Sequence, residues 1–309
     1  MGRRRRVVAL LATLSLLVAG ALAPAAGAAR APYPVDWNFF DSLLIGLATP
    51  NAPPPGADVP GCRLGRGHPN PVILVNGTGG NERDNWGAMA PSLANAGFCV
   101  YTFNYGGLPY TGPLTAFGDI AASAGQLAQF VATVKAETGV RRVDLVGHSQ
   151  GGMMPRYYLS FLGGGASVRR FVAIVPSNHG TTLDGLTNLA AADPIDYDLF
   201  DAALRLVLPA ISEQLVGSSF LRKLNSVPAT VPGVRYTVLT TTHDEVVTPY
   251  TSALLEAPEV TNIVVQTACP NDPVGHVGMV YDPYVVQLTI NALEPAQARP
   301  AACSVGLTL

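Results

Sequence analysis

Charged residues are scarce in this sequence. They make up 13% of the 309 residues, and the mean hydropathy is +0.27. Residues 1–28 contain four arginines and no acidic residue, so the rest of the chain has 15 basic and 21 acidic residues, a formal charge of −6. Because no basic stripe is present, we expect no nucleic-acid partner. The low charge has two interpretations: a surface adapted to lipid or another apolar substrate, or a composition rich in alanine and glycine.

The amino terminus has the pattern of a secretory signal peptide. Residues 3–6 are all arginine, residues 7–22 are almost wholly apolar, and Ala26-Gly27-Ala28 supplies a cleavage site. An uncleaved membrane anchor is the alternative, but the apolar run is short and ends near Pro24. We therefore predict that residues 1–28 are removed, and that residues 29–309 form one secreted domain.

Cysteine is equally scarce, with four residues: Cys62, Cys99, Cys269 and Cys303. None forms a C-x-x-C pair, which argues against a zinc or redox site, and no calcium-binding loop is visible. We expect neither a metal nor a cofactor. An even number of cysteines in an exported protein predicts disulfides. Three pairings can be drawn, and proximity along the chain favours Cys62–Cys99 and Cys269–Cys303.

Strand and helix signals alternate along the chain from Pro71 onward. Short apolar runs predict strands at residues 72–75, 98–103, 142–146, 170–175, 234–240 and 261–267. Helical patterns occupy residues 85–96, 116–138, 151–162 and 284–293, with a shorter one near residues 37–47. This alternation predicts an α/β fold with a mostly parallel central sheet and helices on both faces. In such sheets ligands bind beyond the carboxyl ends of the strands.

Residues 181–229 depart from this alternation. They carry helical spacing of apolar residues between two predicted strands, and they are too many for one crossover helix. Two interpretations stay open. The block is either a helical cap-like insertion that shapes an acyl pocket, or a pair of crossover helices packed on the sheet.

The stretch VDLVGHSQGGMMPRYYL, residues 143–159, places Ser149 between a predicted strand and a predicted helix. A strand that ends near Val146 and a helix that starts near Gly151 force a sharp turn, which would present the serine hydroxyl at the top of the sheet. The helix amino terminus beside it favours developing negative charge. A serine that merely caps the helix is the alternative. The context favours Ser149 as a nucleophile.

A nucleophilic serine needs a histidine as its base. In sheets of this type the chain order is serine, acid, histidine. His276 follows the last predicted strand, as that order requires, whereas His148 adjoins the serine. His243 comes before any acid that could fit, and His179, which follows the predicted strand ending at Val175, could line the pocket or hold a loop. We predict His276 as the base and a structural role for His148 and His179.

The acid should lie on a loop after a strand, between the serine and the histidine. Asp244 directly follows the predicted strand at residues 234–240, with Glu245 next to it, while Asp272 shares the loop of His276 and competes. We predict Asp244, whose role is to accept from the imidazole and fix its tautomer. A simple turn residue is the alternative.

The oxyanion formed during acyl transfer needs two backbone donors. One is the N–H of the residue after the nucleophile, Gln150. The other is expected on the loop after an early strand, where the glycines of VNGTGG allow a close backbone approach. Thr78 is the predicted second donor, and its hydroxyl could add a third hydrogen bond. This loop lacks the lysine and spacing of a phosphate-binding P-loop.

Five stretches together resemble the secreted bacterial triacylglycerol lipase and esterase family of the α/β-hydrolase fold: VILVNGTGG, VGHSQGGMMPRY, VPSNHGTT, TTHDEVVTPY and GHVGMVYDP. The glycine loop and the S-Q-G-G turn are also similar to those of secreted yeast B-type lipases. The resemblance covers most of residues 33–295. It implies carboxylic ester hydrolysis, with Ser149, Asp244 and His276 as the triad and Thr78 and Gln150 as oxyanion donors. Asn76 departs from the pattern, because many lipases carry histidine there.

The resemblance therefore predicts a secreted ester hydrolase, foremost a triacylglycerol lipase. An esterase for short soluble esters, an acyltransferase or a polyester hydrolase would use the same triad. A hydrolase fold that has lost activity and only binds a surface should have a broken triad position, and none is broken. We expect a lipid or ester substrate, transient contact with a lipid interface, and a monomer.

Overall fold

The structure is a computed structural model that describes residues 31–183 and 202–304. The predicted signal peptide, residues 1–28, lies outside the described residues, as do residues 184–201 of the predicted helical insertion. Contacts between the described residues group residues 33–183 and 202–304 into one compact unit. Within the described part of this chain, no helix is long and apolar enough to cross a membrane.

In the part of the chain that the structure describes, six strands form one sheet, and every pairing between them is parallel. The strands are β1 (Val72–Val75), β2 (Val100–Thr102), β3 (Val143–His148), β4 (Val168–Ile174), β5 (Arg235–Thr240) and β6 (Val260–Val264). Their order across the sheet is β2-β1-β3-β4-β5-β6. The predicted parallel sheet is confirmed, and β3, which leads to Ser149, lies inside it rather than at an edge.

Eight α-helices lie with both ends inside the described residues, and residues 202–207 are also helical. The eight are α1 (Phe39–Ala48), α2 (Met89–Asn95), α3 (Ile120–Thr138), α4 (Gln150–Phe161), α5 (Pro209–Glu213), α6 (Ser219–Leu224), α7 (Val265–Ala268) and α8 (Pro283–Leu293). A capping side chain and a glycine mark the two ends of α3. The Asp119 side chain accepts the Ala122 N–H at the start of α3, and Gly139 ends that helix with a positive φ of 71°.

The two faces of the sheet bury separate apolar cores, because neighbouring side chains of a strand point to opposite faces. On β1, Ile73 and Val75 belong to the core that contains α3 and α4. Val72 and Leu74 belong to the core that contains α2 and α8. The predicted helices on both faces are therefore confirmed.

The described part of the insertion, residues 181–183 and 202–229, has features of both interpretations. Phe220, Leu221 and Leu224 of α6 join the core on the α3 and α4 face. Ile211 of α5, by contrast, lines the cavity at Ser149. Within the insertion, the later helix α6 packs on the sheet, whereas the earlier helix α5 contributes to the cavity wall.

Two disulfides connect the pairs that proximity along the chain favours. Cys62 pairs with Cys99, which precedes β2, and Cys269 after α7 pairs with Cys303. Their sequence separations are 37 and 34 residues. Each disulfide therefore fixes an irregular terminal segment to the folded unit.

Candidate active site

Ser149 lies in a strained turn between β3 and α4. Its φ is 55° and its ψ is −123°, a left-handed backbone that a residue with a side chain rarely adopts. The Ser149 N–H donates to the Ile174 carbonyl oxygen at 2.9 Å, which ties the turn to the end of β4. Within the described helix α4, the Ser149 hydroxyl accepts no capping hydrogen bond. Ser149 therefore occupies the N-cap position of α4, but its hydroxyl does not cap the helix.

Two glycines make this turn sterically feasible. A Cβ atom on Gly147 would lie 1.8 Å from the carbonyl oxygen of Gly151, so strand and helix cross in direct backbone contact. A Cβ atom on Gly151 would lie 2.0 Å from the carbonyl oxygen of Val75. The G-x-S-x-G spacing thus holds the helix against β1, where the loop that carries Thr78 begins.

The ring of His276 is paired with the carboxylate of Asp244. The Nδ1 atom of His276 is 2.9 Å from one carboxylate oxygen of Asp244 and 3.1 Å from the other. The oxygen at 2.9 Å also accepts the backbone N–H groups of Val246 and Val247. These donors hold the carboxylate in place, so Asp244 can orient the ring and leave its Nε2 atom for chemistry.

Two other acidic residues and another histidine that follow Ser149 along the chain have different hydrogen-bond partners. Asp272 accepts the backbone N–H of Val274, and Glu245 accepts the backbone N–H of His276 rather than its ring. The ring of His179 is 3.1 Å from the Leu254 carbonyl oxygen. This contact agrees with the structural role expected for His179.

The loop after β1 lies against Ser149. A Cβ atom on Gly77 would be 3.0 Å from the Ser149 Cβ atom. The Asn76 amide donates to the carbonyl oxygens of Gly77 and Gly80, which fixes the shape of the loop. The Thr78 hydroxyl donates to the Gln150 side-chain oxygen at 2.7 Å. Thr78 and Gln150, the two predicted oxyanion donors, are therefore neighbours.

His148 connects the loops on both sides of the serine. Its Nδ1 atom is 3.0 Å from the Asn85 side-chain oxygen, which also accepts the Gly77 N–H, and its Nε2 atom is 3.2 Å from the His276 carbonyl oxygen. Burial, and then the charge of His276, lower the pKa of His148 to about 3. His148 therefore stays neutral near pH 7 and adds no second positive charge beside a protonated His276.

A cavity of about 370 Å³ contains Ser149, His276 and Thr78. Most of its other walls are apolar, and they come from α1, the segment after β4, α5, and the loops after β5 and before α8. These apolar residues are Phe39, Leu43, Leu183, Ile211, Val246, Val247, Val277 and Val280. The arrangement suits an apolar ligand that presents one polar group to the serine.

One carboxylate at the cavity has no role in the predicted site. Asp84 lines the cavity, and its Oδ1 atom accepts the Asn81 N–H. Its Oδ2 atom is buried and has no hydrogen-bond partner among the described residues. Burial raises the pKa of Asp84 to about 6. In the described ranges no group of three or more His, Cys, Asp or Glu side chains is arranged to hold a metal ion.

Sequence reasoning missed three polar residues of the site: Asn85, Ser177 and Gln214. The Gln214 amide lies 2.9 Å from the Thr78 hydroxyl, and Ser177 donates to the Gln214 side-chain oxygen at 2.8 Å. These partners are far apart along the chain, so no local pattern indicates them.

A family model described as Lipase (class 2) matches residues 69–289, which is more than half of the chain. The chain belongs to the class 2 lipase family. Two curated relatives named triacylglycerol lipase, from Pseudarthrobacter phenanthrenivorans and Burkholderia plantarii, are each 36% identical over 92 residues. The aligned part spans 28% of this chain and only 27% and 24% of those relatives.

Among solved structures, lipase B of Aspergillus fumigatus is similar, with a TM-score of 0.61 and 23% identity. The match covers 83% of this class 2 lipase family member and 58% of that chain. The mature form of a Bacillus licheniformis lipase has a TM-score of 0.52 at 17% identity, covering 79% and 97%. This likeness establishes the α/β-hydrolase fold.

Proposed function

We propose that the protein is a secreted carboxylic ester hydrolase that acts on triacylglycerols through an acyl-enzyme on Ser149. One observation carries the proposal: a strained serine and a histidine line one apolar cavity, and the histidine Nδ1 atom lies 2.9 Å from a buried carboxylate. Membership of the class 2 lipase family supports the reaction. The names of the two bacterial relatives support the substrate class.

In the first half of the proposed reaction, His276 takes the proton of Ser149 as its Oγ atom attacks the ester carbonyl carbon. Asp244 keeps a proton on the His276 Nδ1 atom, so the Nε2 atom is free to act as the base. The backbone N–H groups of Thr78 and Gln150 stabilise the negative charge on the carbonyl oxygen. His276 then returns the proton to the departing alcohol, which leaves an acyl group on Ser149.

In the second half, water replaces the alcohol. His276 takes a proton from the water as its oxygen attacks the acyl carbon, and the same two N–H groups stabilise the new oxyanion. The ester bond to Ser149 breaks, and the serine oxygen takes the proton back from His276. The fatty acid leaves and the site returns to its starting state.

The assignment is tested with nitrophenyl esters and purified mature protein. The wild type should release nitrophenol, and Ser149→Ala should abolish turnover without lowering the melting temperature. Equal activity in the variant would refute the assignment. Assays over acyl chains from two to sixteen carbons, with and without an emulsion, identify the substrate class. A maximum at the shortest soluble esters would contradict the lipase proposal and favour an esterase.

Helix α1 supports contact with a lipid surface. Phe39 and Leu43 line the cavity, whereas Phe40 and Leu44 are 53% and 66% exposed. The same helix therefore borders the cavity and presents large apolar side chains to solvent. An exposed apolar face beside a site for apolar substrates is the surface that an oil phase would bind.

This contact is tested by Leu44→Gln, with Leu162→Gln as the matched control. Leu162 is 43% exposed and follows the far end of α4, a twelve-residue helix that begins beside Ser149. Leu44→Gln should lower turnover of an emulsified triglyceride severalfold and leave a soluble ester unaffected, while Leu162→Gln should change neither. An equal loss on both substrates, or the same loss in the control, would contradict the lipid-contact proposal.

Export is proposed from residues 1–28 and supported by the two disulfides, which form in oxidising compartments. The mass of the protein recovered from the medium of an expressing culture tests this. We expect a chain that begins at residue 29. Full-length protein that remains with the cells would contradict export.

A further inference from the structure

Gln214, which directly follows α5, reaches the corner where Thr78 and Gln150 meet. It is 7% exposed. Its Nε2 atom donates to the Thr78 hydroxyl oxygen at 2.9 Å and to the Ala210 carbonyl oxygen at 3.0 Å. Its side-chain oxygen accepts from Ser177 at 2.8 Å. Because the Ala210 carbonyl can only accept, the nitrogen of the Gln214 amide must be the atom that faces Thr78.

The Thr78 hydroxyl is committed to Gln150 in this arrangement. A threonine hydroxyl has one hydrogen, and here it points to the Gln150 side-chain oxygen at 2.7 Å. It is therefore not available to an oxyanion in the cavity. If the hydroxyl turned to the oxyanion, the Gln150 oxygen would lose this donor. Gln150 is fully buried, and a buried acceptor without a donor is unfavourable.

The Gln214 amide is placed to replace that donor. Its Nε2 atom is already 3.3 Å from the Gln150 oxygen, only slightly farther than from the Thr78 oxygen. An amide nitrogen has two hydrogens. One can stay on the Ala210 carbonyl while the other moves from Thr78 to Gln150, a change of a few tenths of an ångström.

We propose that Gln214 is a positioning residue that takes over the hydrogen bond to Gln150 when the Thr78 hydroxyl turns to the oxyanion. This inference rests on the proposed function. The exchange keeps the same number of hydrogen bonds before and after the hydroxyl turns, so the third oxyanion donor becomes available without an orphaned acceptor. Gln214 also lines the cavity, but in this proposal it acts on the reacting atoms through Thr78.

A double-mutant cycle in the mature protein tests the proposal. Gln214→Met removes the amide but keeps the side-chain length, and Thr78→Val removes the hydroxyl but keeps the shape. With nitrophenyl butyrate as the probe, each single variant should lower kcat, by roughly 10-fold for Gln214→Met and 10- to 100-fold for Thr78→Val, with little change in KM. The double variant should be no slower than Thr78→Val, because no hydroxyl remains to be released.

Thr78→Ser is the matched control. It keeps a hydroxyl, so the penalty of Gln214→Met should return in that background. If Gln214→Met melts below the assay temperature, Ser177→Ala takes its place, since it removes the hydrogen bond that fixes the Gln214 oxygen. Its smaller loss of kcat should likewise vanish in the Thr78→Val background.

The proposal would be overturned if Gln214→Met lowered kcat by the same factor with and without the Thr78 hydroxyl. Such independent losses would indicate that Gln214 only anchors its segment. An unchanged kcat in a folded Gln214→Met would also overturn it. Turnover by the wild type that depends on Ser149 establishes the serine ester hydrolysis on which the inference rests, whatever the cycle gives. Absence of that turnover would overturn both.

Discussion

Gly151→Ala should damage both the fold and the site, because the backbone of α4 lies against the end of β1. A Cβ atom at this position would be 2.0 Å from the Val75 carbonyl oxygen and 2.5 Å from that of Asn76. Cβ contacts below 3.0 Å essentially never occur, so the helix and the strand must separate by about 1 Å. Both carbonyls belong to backbone that cannot rotate away as a side chain would.

The expected loss of stability is at least about 3 kcal/mol, the upper end for an overpacked core. For a domain of this size that lowers the melting temperature by roughly 5–10 °C. The separation also moves the loop that carries Thr78 away from Ser149. A displacement of about 1 Å at a reacting centre typically lowers the rate about 100-fold. Thermal unfolding and nitrophenyl ester turnover measure the two effects.

Gly125→Ala is the matched control, because Gly125 lies inside α3 and a Cβ atom added there would have nothing within 4 Å. Alanine stabilises a helix interior relative to glycine by up to about 1 kcal/mol, so this variant should melt slightly higher with unchanged kcat. A Gly151→Ala variant that melts and turns over like the wild type would refute the reasoning. A variant that loses stability but keeps kcat would refute the link between this contact and the site.

Two further predictions concern pH and the disulfides. Burial raises the pKa of Asp84 from 3.8 to about 6. Between these two pH values the folded state binds more protons than the unfolded state, so the free energy of unfolding falls as the pH rises from 3.8 to about 6. Asp84→Asn should therefore be more stable than the wild type above pH 7, by about 3 kcal/mol, and equal to it below about pH 4, as measured by urea unfolding; lower stability at pH 8 would contradict this. Replacing Cys269 and Cys303 with alanine opens a link between residues 34 apart, which should cost about 4 kcal/mol, and an unchanged urea midpoint would contradict that value.

The sequence predicted β1 without error, at residues 72–75, because an apolar run lies there between a proline and an asparagine-glycine pair. The helix predicted at residues 85–96 begins only at Met89. Residues 82–88 instead form turns, in which the Asn81 side chain accepts the Asp84 N–H and the Asp84 side chain accepts the Asn81 N–H. The sequence pattern does not mark where these turns give way to the helix.

The strand predicted at residues 261–267 is shorter than expected, since it ends at Val264 and α7 begins at Val265. A continuous apolar run carries no mark of where a strand gives way to a helix. The same limit applies to residues 181–229, whose apolar spacing indicates helices but not which of them pack on the sheet and which line the cavity.

The candidate site was predictable where chain order and backbone shape determine it. The serine turn needs its glycines, and the order of serine, acid and histidine follows from the order of the strands. This reasoning led to Ser149, Asp244 and His276, and the structure brings the three residues to one end of the sheet; their chemical roles stay predictions. Gln214 was not predictable, because its contact with Thr78 joins residues 136 apart.

Covalent labelling tests the central claim, that Ser149 is the nucleophile, most directly. An alkyl nitrophenyl phosphonate reacts with an activated serine and leaves a tetrahedral adduct whose position is read by peptide mass spectrometry. We predict one equivalent of label on Ser149, no label on Ser149→Ala, and labelling slowed by roughly 10³–10⁴-fold in Asp244→Asn, where the tautomer of His276 is no longer fixed. A label on a different residue, or none on a folded wild type, would contradict the account.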